Sequence, residues 1–497
     1  MNNLIIISLP KIETNFPPAA LAILASIAKE NEFNPIIFDF NLKLFEELSE
    51  EEWDSVETWC EFISDLPIEL SEKIKVIFVE HLKTLITPDT KFVCFSALSY
   101  FSNRITELAL RWYNEFFDIT TILGGPALST DTSINNKEVF GEYLLKLDIA
   151  DYIVFGEGEL NFDNLLKNSI DHPGINKNDP VQIDDISNLP MPTYEFFNMD
   201  SYFQKRVLIT GSRGCVRKCT FCDIELTWPK FRFRKAESIV DEMKKHFYNH
   251  GTIDFEFTDS LINGSITNFN KFNELLYNEK QKYPALEPIR YRGQFICRDN
   301  STNSTVSYEL MHLAGCDTIT TGIESFSNNV RNHMKKKFSN AAIEHHFKQC
   351  GRWGIRNVVL MIVGYPTETL ADHQDNLDGL HKYKIYSDMG TIFMIRWGYT
   401  MHLYDNTPIM SMANELQLNF ENDIRMESLF GWTSGSNPSN TLLERIRRRI
   451  EIHETSYALG YSMPRVGEEL NRIKKLAEIY LSQKPTTKKI FSIAQSA

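Results

Sequence analysis

Short apolar runs of strand length alternate with stretches of helical periodicity twice along this chain, and that alternation restricts it to α/β folds built on parallel strands. In the first stretch, runs at residues 4–9, 35–40, 92–98, 119–125 and 152–158 predict five strands, with helices such as 19–29 and 105–117 between them. Strands separated by helices pair in parallel, so residues 1–165 predict a doubly wound, Rossmann-like domain. Ligands in such sheets bind beyond the carboxyl ends of the strands. That rule points to Ser96, Leu98 and Ser99, to Gly124, Gly125 and Pro126, and to Gly156 and Glu157.

The second alternation has strands at 207–210, 253–258, 289–297, 318–323, 357–363 and 391–397. Its helices keep the right spacing: in residues 236–250, Ile239, Val240, Met243 and Phe247 share one face. Six such units predict a partial (β/α)6 barrel of TIM type over residues 206–408, with its site at the carboxyl ends of the strands. Residues 166–205 are polar and proline-marked and predict a linker. Beyond 408 the periodicity is helical, notably at 440–459 and 468–481, so residues 409–497 predict a helical C-terminal region ending in a frayed tail from Pro485.

Composition narrows the class further. A chain of 497 residues exceeds what one core usually holds. No apolar run reaches the roughly 18 residues of a membrane span, and the start at Met1 lacks the basic flank and cleavage site of a signal peptide, so a cytoplasmic chain without a membrane span is expected. The formal net charge of -14 argues against nucleic acid as a partner, because phosphate binding needs a basic face.

Eight cysteines are too few and too uneven for a disulfide framework, yet Cys215, Cys219 and Cys222 crowd the loop after the first barrel strand. A 4Fe-4S cluster normally takes four cysteines, so a three-cysteine loop leaves one iron open to an outside ligand. Structural zinc is the alternative, but it wants a fourth ligand close by, and the nearest downstream histidine is His246. A non-catalytic metal-binding or electron-transfer protein is therefore a competing class.

The Cys-x3-Cys-x2-Cys loop, with Phe221 just before its last cysteine, resembles that of the radical S-adenosylmethionine (SAM) superfamily. The resemblance implies a cluster held by Cys215, Cys219 and Cys222, with SAM chelating the open iron through its amino and carboxylate groups. An external donor of flavodoxin or ferredoxin type then supplies one electron, and SAM is cleaved to a 5'-deoxyadenosyl radical. Thr321-Gly322-Ile323-Glu324-Ser325 resembles the family's strand-end run, which assigns Gly322, Glu324 and Ser325 to the methionine or ribose of SAM. Gly364-Tyr365-Pro366-Thr367-Glu368 resembles its turn near adenine, which assigns Gly364 and Pro366, and Asp259 ends the second strand where the family often carries an acidic residue. Without the resemblance, Glu324-Ser325 reads as a helix cap and the Gly-Pro run as a turn. Arg292 and Arg298 flank the third strand and suit either a substrate carboxylate or a structural ion pair.

A doubly wound domain ahead of such a barrel resembles the cobalamin-binding subfamily. Phe16-Pro17-Pro18-Ala19, Asp39-Phe40-Asn41, Leu123-Gly124-Gly125-Pro126 and Phe155-Gly156-Glu157-Gly158-Glu159 match its turns. The resemblance implies cobalamin at Pro17 and the strand-end residues named above, and methylation of an unactivated carbon in a small-molecule or peptide substrate. Rearrangement or cyclisation without methyl transfer would use the same parts. No Asp-x-His-x-x-Gly segment is present to give cobalt a histidine, and Asn161 stands where a dinucleotide fingerprint needs its third glycine. Cys60, Cys94, Cys297, Cys316 and Cys350 read as core residues. Arg445-Ile446-Arg447-Arg448-Arg449 reads as a solvated helix face, while Tyr399 and Tyr404 follow the sixth strand, where side chains can face substrate.

Overall fold

The computed structural model describes residues 1–10, 13–61, 64–133, 136–299, 305–403, 407–420, 432–464 and 471. Contact density divides the chain into two compact units, residues 1–213 with 232–258, and residues 214–231 with 259–497. This division does not follow the limits at 165, 206 and 408 expected from sequence.

The first unit holds β1 (Asn3–Ser8), β2 (Asn34–Asp39), β3 (Thr90–Ser96), β4 (Thr121–Gly124) and β5 (Tyr152–Val154), paired in parallel in the order β2-β1-β3-β4-β5. Leu4, Ile5, Ile6 and Ile7 are all fully buried, the continuous apolar run of a strand covered on both faces. Three helices, Phe40–Glu47, Glu50–Cys60 and Ile68–Leu85, fill the connection from β2 to β3. The stretch 166–205 has little regular structure, as its composition predicts, but it is not a free tether. The amide of Phe155 donates to the carbonyl of Gly174 at 2.8 Å, and that of Glu157 to Val181 at 3.0 Å. The unit continues with β6 (Arg206–Ile209), the short β7 (Ser212–Arg213) and β8 (Arg232–Phe233), and β9 (Asp254–Phe257), which pairs in parallel with β6.

The second unit contains β10 (Arg290–Phe295), β11 (Cys316–Glu324), β12 (Arg356–Val363) and β13 (Ile392–Thr400), all in parallel register. The barrel strands run β13-β12-β11-β10 within the second unit and β9-β6 within the first, all parallel βα units as expected. Helices follow the strands: α1 (Asn340–Trp353) precedes β12, α2 (Leu370–Asp388) precedes β13, and α3 (Leu442–Ala458) supplies the helical C-terminal region. Apart from residue 471, the expected helix at 468–481 lies outside the described residues, as do the tail and Tyr404, and Tyr399 falls in β13. Among the described residues no helix is long and apolar enough to cross a membrane.

One expectation is overturned. Arg445, Arg448 and Arg449 do not face solvent: each is 0% exposed, and only Arg447 of the run reaches water. Helix α3 packs on α2, β12 and β13, so its arginines extend inward along apolar stems to named acceptors. Arg445 donates to the carbonyls of Asn440 and Trp432, Arg448 to Glu368 and Glu444, and Arg449 to the carbonyl of Trp397. A basic run at helical spacing does not reveal from sequence which turns are covered.

His346 of α1 shows how tightly the second unit is filled. Its ring stacks on Phe295, Nε2 pairs with Asn357 Oδ1 at 2.8 Å, and Nδ1 pairs with the Tyr308 hydroxyl at 2.9 Å. Burial lowers its pKa from 6.5 to about 4, against the hydrogen bond to Asn357 Oδ1 that raises it. Because the folded value lies below the unfolded one, this contribution to stability is complete above pH 6.5 and is lost as pH falls toward 4. Denaturant titration should therefore show about 2 kcal/mol less stability from this group at pH 5 than at pH 7. In His346→Gln that share of the pH dependence should vanish; an unchanged slope between pH 7 and 5 would count against the assignment.

Candidate functional site

The three cysteines occupy the segment that leaves β7 and returns at β8. Gly214 opens it with φ +79°, and a Cβ there would stand 2.6 Å from the carbonyl oxygen of Lys230, so the segment closes on itself at its base. Cys219 is buried, while Cys215 and Cys222 are half-buried. Burial raises the Cys222 thiol to about 11 and moves Cys219 upward too, although Lys336 pulls Cys219 the other way. Thr220 anchors the middle of the loop. Its hydroxyl meets the Tyr365 hydroxyl at 2.8 Å, its amide donates to Met334, and its carbonyl accepts from Ile409 at 2.7 Å. All three are bonds within the second unit, and Tyr365 was not singled out by sequence.

At the end of β11 the register shifts between Gly322 and Glu324, and Glu324 takes φ +68°, a left-handed conformation that a residue with a side chain adopts only at a cost. Its carboxylate is held by Lys336 at 2.8 Å, both side chains being about nine-tenths buried. Gly322 makes room for it, because a Cβ there would lie 2.5 Å from Glu324 Oε1 and 3.1 Å from Lys336 Nζ. The same ammonium stands 5.5 Å from the Phe221 ring. Burial disfavours the charge on Lys336, yet Glu324 and the thiols of Cys219 and Cys222 hold its pKa above the ordinary value. Lys336, which the sequence analysis did not single out, is buried between the exposed Lys335 and Lys337. Ser325 is committed internally: its hydroxyl donates to Asn376 at 3.0 Å and accepts from the Ser327 amide at 3.1 Å.

At the end of β12, Gly364 has φ +84° and packs against Arg445, whose Cδ would be 2.3 Å from a Cβ. The Glu368 carboxylate accepts from the Gly364 amide at 3.1 Å and from Arg448 at 3.1 Å, both side chains being fully buried. Burial pushes Glu368 up to about 7 despite Arg448. Pro366, between them, is buried. Asp259 is 2% exposed at the end of β9. Arg292 lies 3.4 Å from Asp317, the structural ion pair foreseen as one of its two options, while Arg298 donates to the carbonyls of Asn263 and Gly264 with Cys215 and Arg217 nearby.

The three thiols suit an iron-sulfur cube. Among the described residues no three His, Cys, Asp or Glu side chains gather closely enough to hold one metal ion. A cube does not ask for that, since each cysteine binds its own iron. The buried Lys336 ammonium adds a counter-charge for bound thiolates.

In the first unit, the strand-end residues line one edge of the parallel sheet. Leu98, just past β3, is 49% exposed. Gly125 has φ +117°, and a Cβ would meet the Ala97 carbonyl oxygen at 2.2 Å. Gly156 likewise faces Val181 backbone at 2.7 Å. These two glycines are thus demanded by neighbouring backbone, whereas at Gly124 a Cβ would meet only Val154, at 3.9 Å. Pro17 is buried, Pro126 exposed, and Ser96 and Ser99 half-buried. Asp39, at the end of β2, accepts from the Tyr202 hydroxyl at 2.9 Å, the Ser8 hydroxyl at 3.1 Å and the Leu42 amide at 3.1 Å. Both oxygens of Glu157 are engaged, one by Arg232 and the other by Arg232 at 2.8 Å and the Ile183 amide at 2.6 Å. An exposed leucine beside backbone turns suits a broad, flat ligand held by shape.

Comparison with known proteins fits this geometry. Residues 209–378 match the model of the radical SAM superfamily. An uncharacterized methyltransferase of Pyrococcus horikoshii is 26% identical over 271 residues, covering 51% of this chain and 55% of that protein. A tRNA-2-methylthio-N(6)-dimethylallyladenosine synthase of Clostridioides difficile is 24% identical over 284 residues, covering 54% of each. The chain thus spans about half the length of these relatives. Among solved structures, the radical SAM methyltransferase TsrM of Kitasatospora setae, with tryptophan and a SAM analogue bound, superposes with a TM-score of 0.66 at 15% identity, over 97% of this chain and 100% of that one. OxsB, a cobalamin-dependent SAM radical enzyme with aqua-cobalamin bound, gives 0.65 at 15% identity over 97% and 71%. The superfamily match is confined to residues 209–378, and the chain is similar in fold to these two solved structures.

Proposed function

We propose that this chain is a cobalamin-dependent radical SAM methyltransferase acting on an unactivated carbon of a small-molecule or peptide substrate. The observation that carries the reading is the joint one: a three-cysteine loop in a βα barrel, in a chain that matches TsrM over nearly its whole length. TsrM and OxsB are described with cobalamin, and the strand-end turns of the first unit supply an edge suited to it. We assign residues 1–165 to cobalamin binding, with Pro17, Ser96, Leu98, Ser99, Gly124, Gly125, Pro126 and Gly156 along that edge, and residues 206–408 to the barrel.

When bound, the cluster and SAM supply a 5'-deoxyadenosyl radical and cobalamin a transferable methyl group. The chain's own part is to hold and orient. Cys215, Cys219 and Cys222 hold the cluster, and Lys336 pairs with Glu324 and keeps its carboxylate beside Gly322. A carboxylate so placed meets a ribose diol or an ammonium. Glu368 and Arg448 fix the Gly364 turn for adenine, and the buried walls keep water from a reactive centre. Eight cysteines too few and uneven for a disulfide framework suit a reducing cytoplasm, where a flavodoxin- or ferredoxin-type protein can donate the electron.

Anaerobic turnover of cobalamin-loaded enzyme should release both S-adenosylhomocysteine and 5'-deoxyadenosine. Deoxyadenosine alone, with cobalamin bound, would replace methylation by rearrangement or cyclisation; zinc-loaded protein without iron-sulfur absorbance after reconstitution would remove the reading altogether. Glu324→Gln should raise the Kd for SAM at least tenfold while iron content stays unchanged, measured by equilibrium binding. Unaltered affinity would detach Glu324 from SAM.

A further inference from the structure

At the two ends of the cysteine loop, Arg213 and Arg232 form a buried charged cluster with Glu157 and Glu159. Arg213 and Arg232 are register partners across the two-residue antiparallel pair β7-β8, so two cations stand directly opposite each other where like charges repel. Both are nearly buried, with side chains 12% and 8% exposed. Two carboxylates neutralise them. Glu157 takes Arg232 on both oxygens and lies 3.4 Å from Arg213, and Glu159 takes Arg213 on both of its oxygens, with side-chain exposures of 4% and 11%. The Ile183 carbonyl accepts a further bond from Arg232, while its amide donates to Glu157. Four charges sum to zero in a nearly dry pocket.

Residues 214–231, which carry the three cysteines, begin one residue after Arg213 and end one residue before Arg232. The arginine pair is therefore the neck of the cysteine loop. Gly214 continues the closure by meeting Lys230 backbone.

We propose that Glu157 and Glu159 are positioning residues for the iron-sulfur cluster: they hold the neck of the cysteine loop shut by neutralising Arg213 and Arg232. The Gly-Glu-Gly-Glu turn, whose sequence suggests only a flat-ligand contact, thereby governs how firmly the adjoining loop keeps its metal. Removing one carboxylate leaves a single carboxylate for two buried cations that face each other, and the cheapest relief is for β7 and β8 to part. The inference rests on the cluster reading above.

The test is anaerobic release of iron from reconstituted full-length protein to a ferrous chelator, measured beside the Kd for hydroxocobalamin. Glu157→Gln should release iron at least fivefold faster than wild type, with hydroxocobalamin affinity held within twofold. The double exchange E157M/R232M, which removes both charges and keeps the volume, should return release to within twofold of wild type, a rescue that loss of packing alone would not give. If Glu157→Gln does not fold, Glu159→Gln carries the same expectation through Arg213. Iron release at the wild-type rate in the single variants overturns the proposal, as does loss of hydroxocobalamin affinity with iron retention unchanged. Wild-type protein that takes up no iron would instead overturn the cluster reading on which it rests.

Discussion

Buried charge must be paired, and in this chain the pairing fixes the backbone at strand ends. Glu324 with Lys336, Glu368 with Arg448, Glu157 with Arg232 and Glu159 with Arg213 are each shielded from water, and each sits at or beside a turn assigned to a cofactor. An isolated ion in such surroundings costs several kcal/mol or more, so a strand-end turn cannot drift without uncovering an unpaired charge. The hydrophobic core builds the sheets; these pairs set the shape of their edges. That division suits a site whose ligands must be held within hydrogen-bond reach of one another.

The strands, the cysteine loop and the parallel order were legible because each has a local signature. Residues 4–7 are a continuous apolar run because both faces of β1 are covered, and the strand lies where that run predicts. Cys215, Cys219 and Cys222 are recognisable because chemistry dictates their spacing. Lys336 is different. It becomes the partner of Glu324 only because the chain between them turns back over the strand end, a long-range event with no local mark. The buried arginines of α3 misled for the same reason: a helix carries its basic residues at the same spacing whether water or another element covers them, and α2, β12 and β13 cover these.

The motif glycines show a subtler gap between sequence and structure. Gly125 and Gly156 belong to turns whose likeness to cobalamin sites suggested room for a ligand, yet their positive φ and the backbone of Ala97 and Val181 already forbid a side chain. Gly322 is free of a side chain for the sake of Glu324 and Lys336. A glycine in a turn that resembles a cofactor motif can thus serve the protein's own packing.

Glu157 shows the same division between motif and packing. A carboxylate in a Gly-Glu-Gly-Glu turn at a sheet edge looks like a ligand-binding group, but a carboxylate already holding an arginine on both oxygens and a backbone amide has little left to offer another partner. Its chemistry is spent on the neck between β7 and β8. Gly156 beside it is exposed, so its backbone stays open to a neighbour while the adjacent side chain is buried. One short turn then answers two demands at once, because backbone and side chain at consecutive residues are free to serve different neighbours.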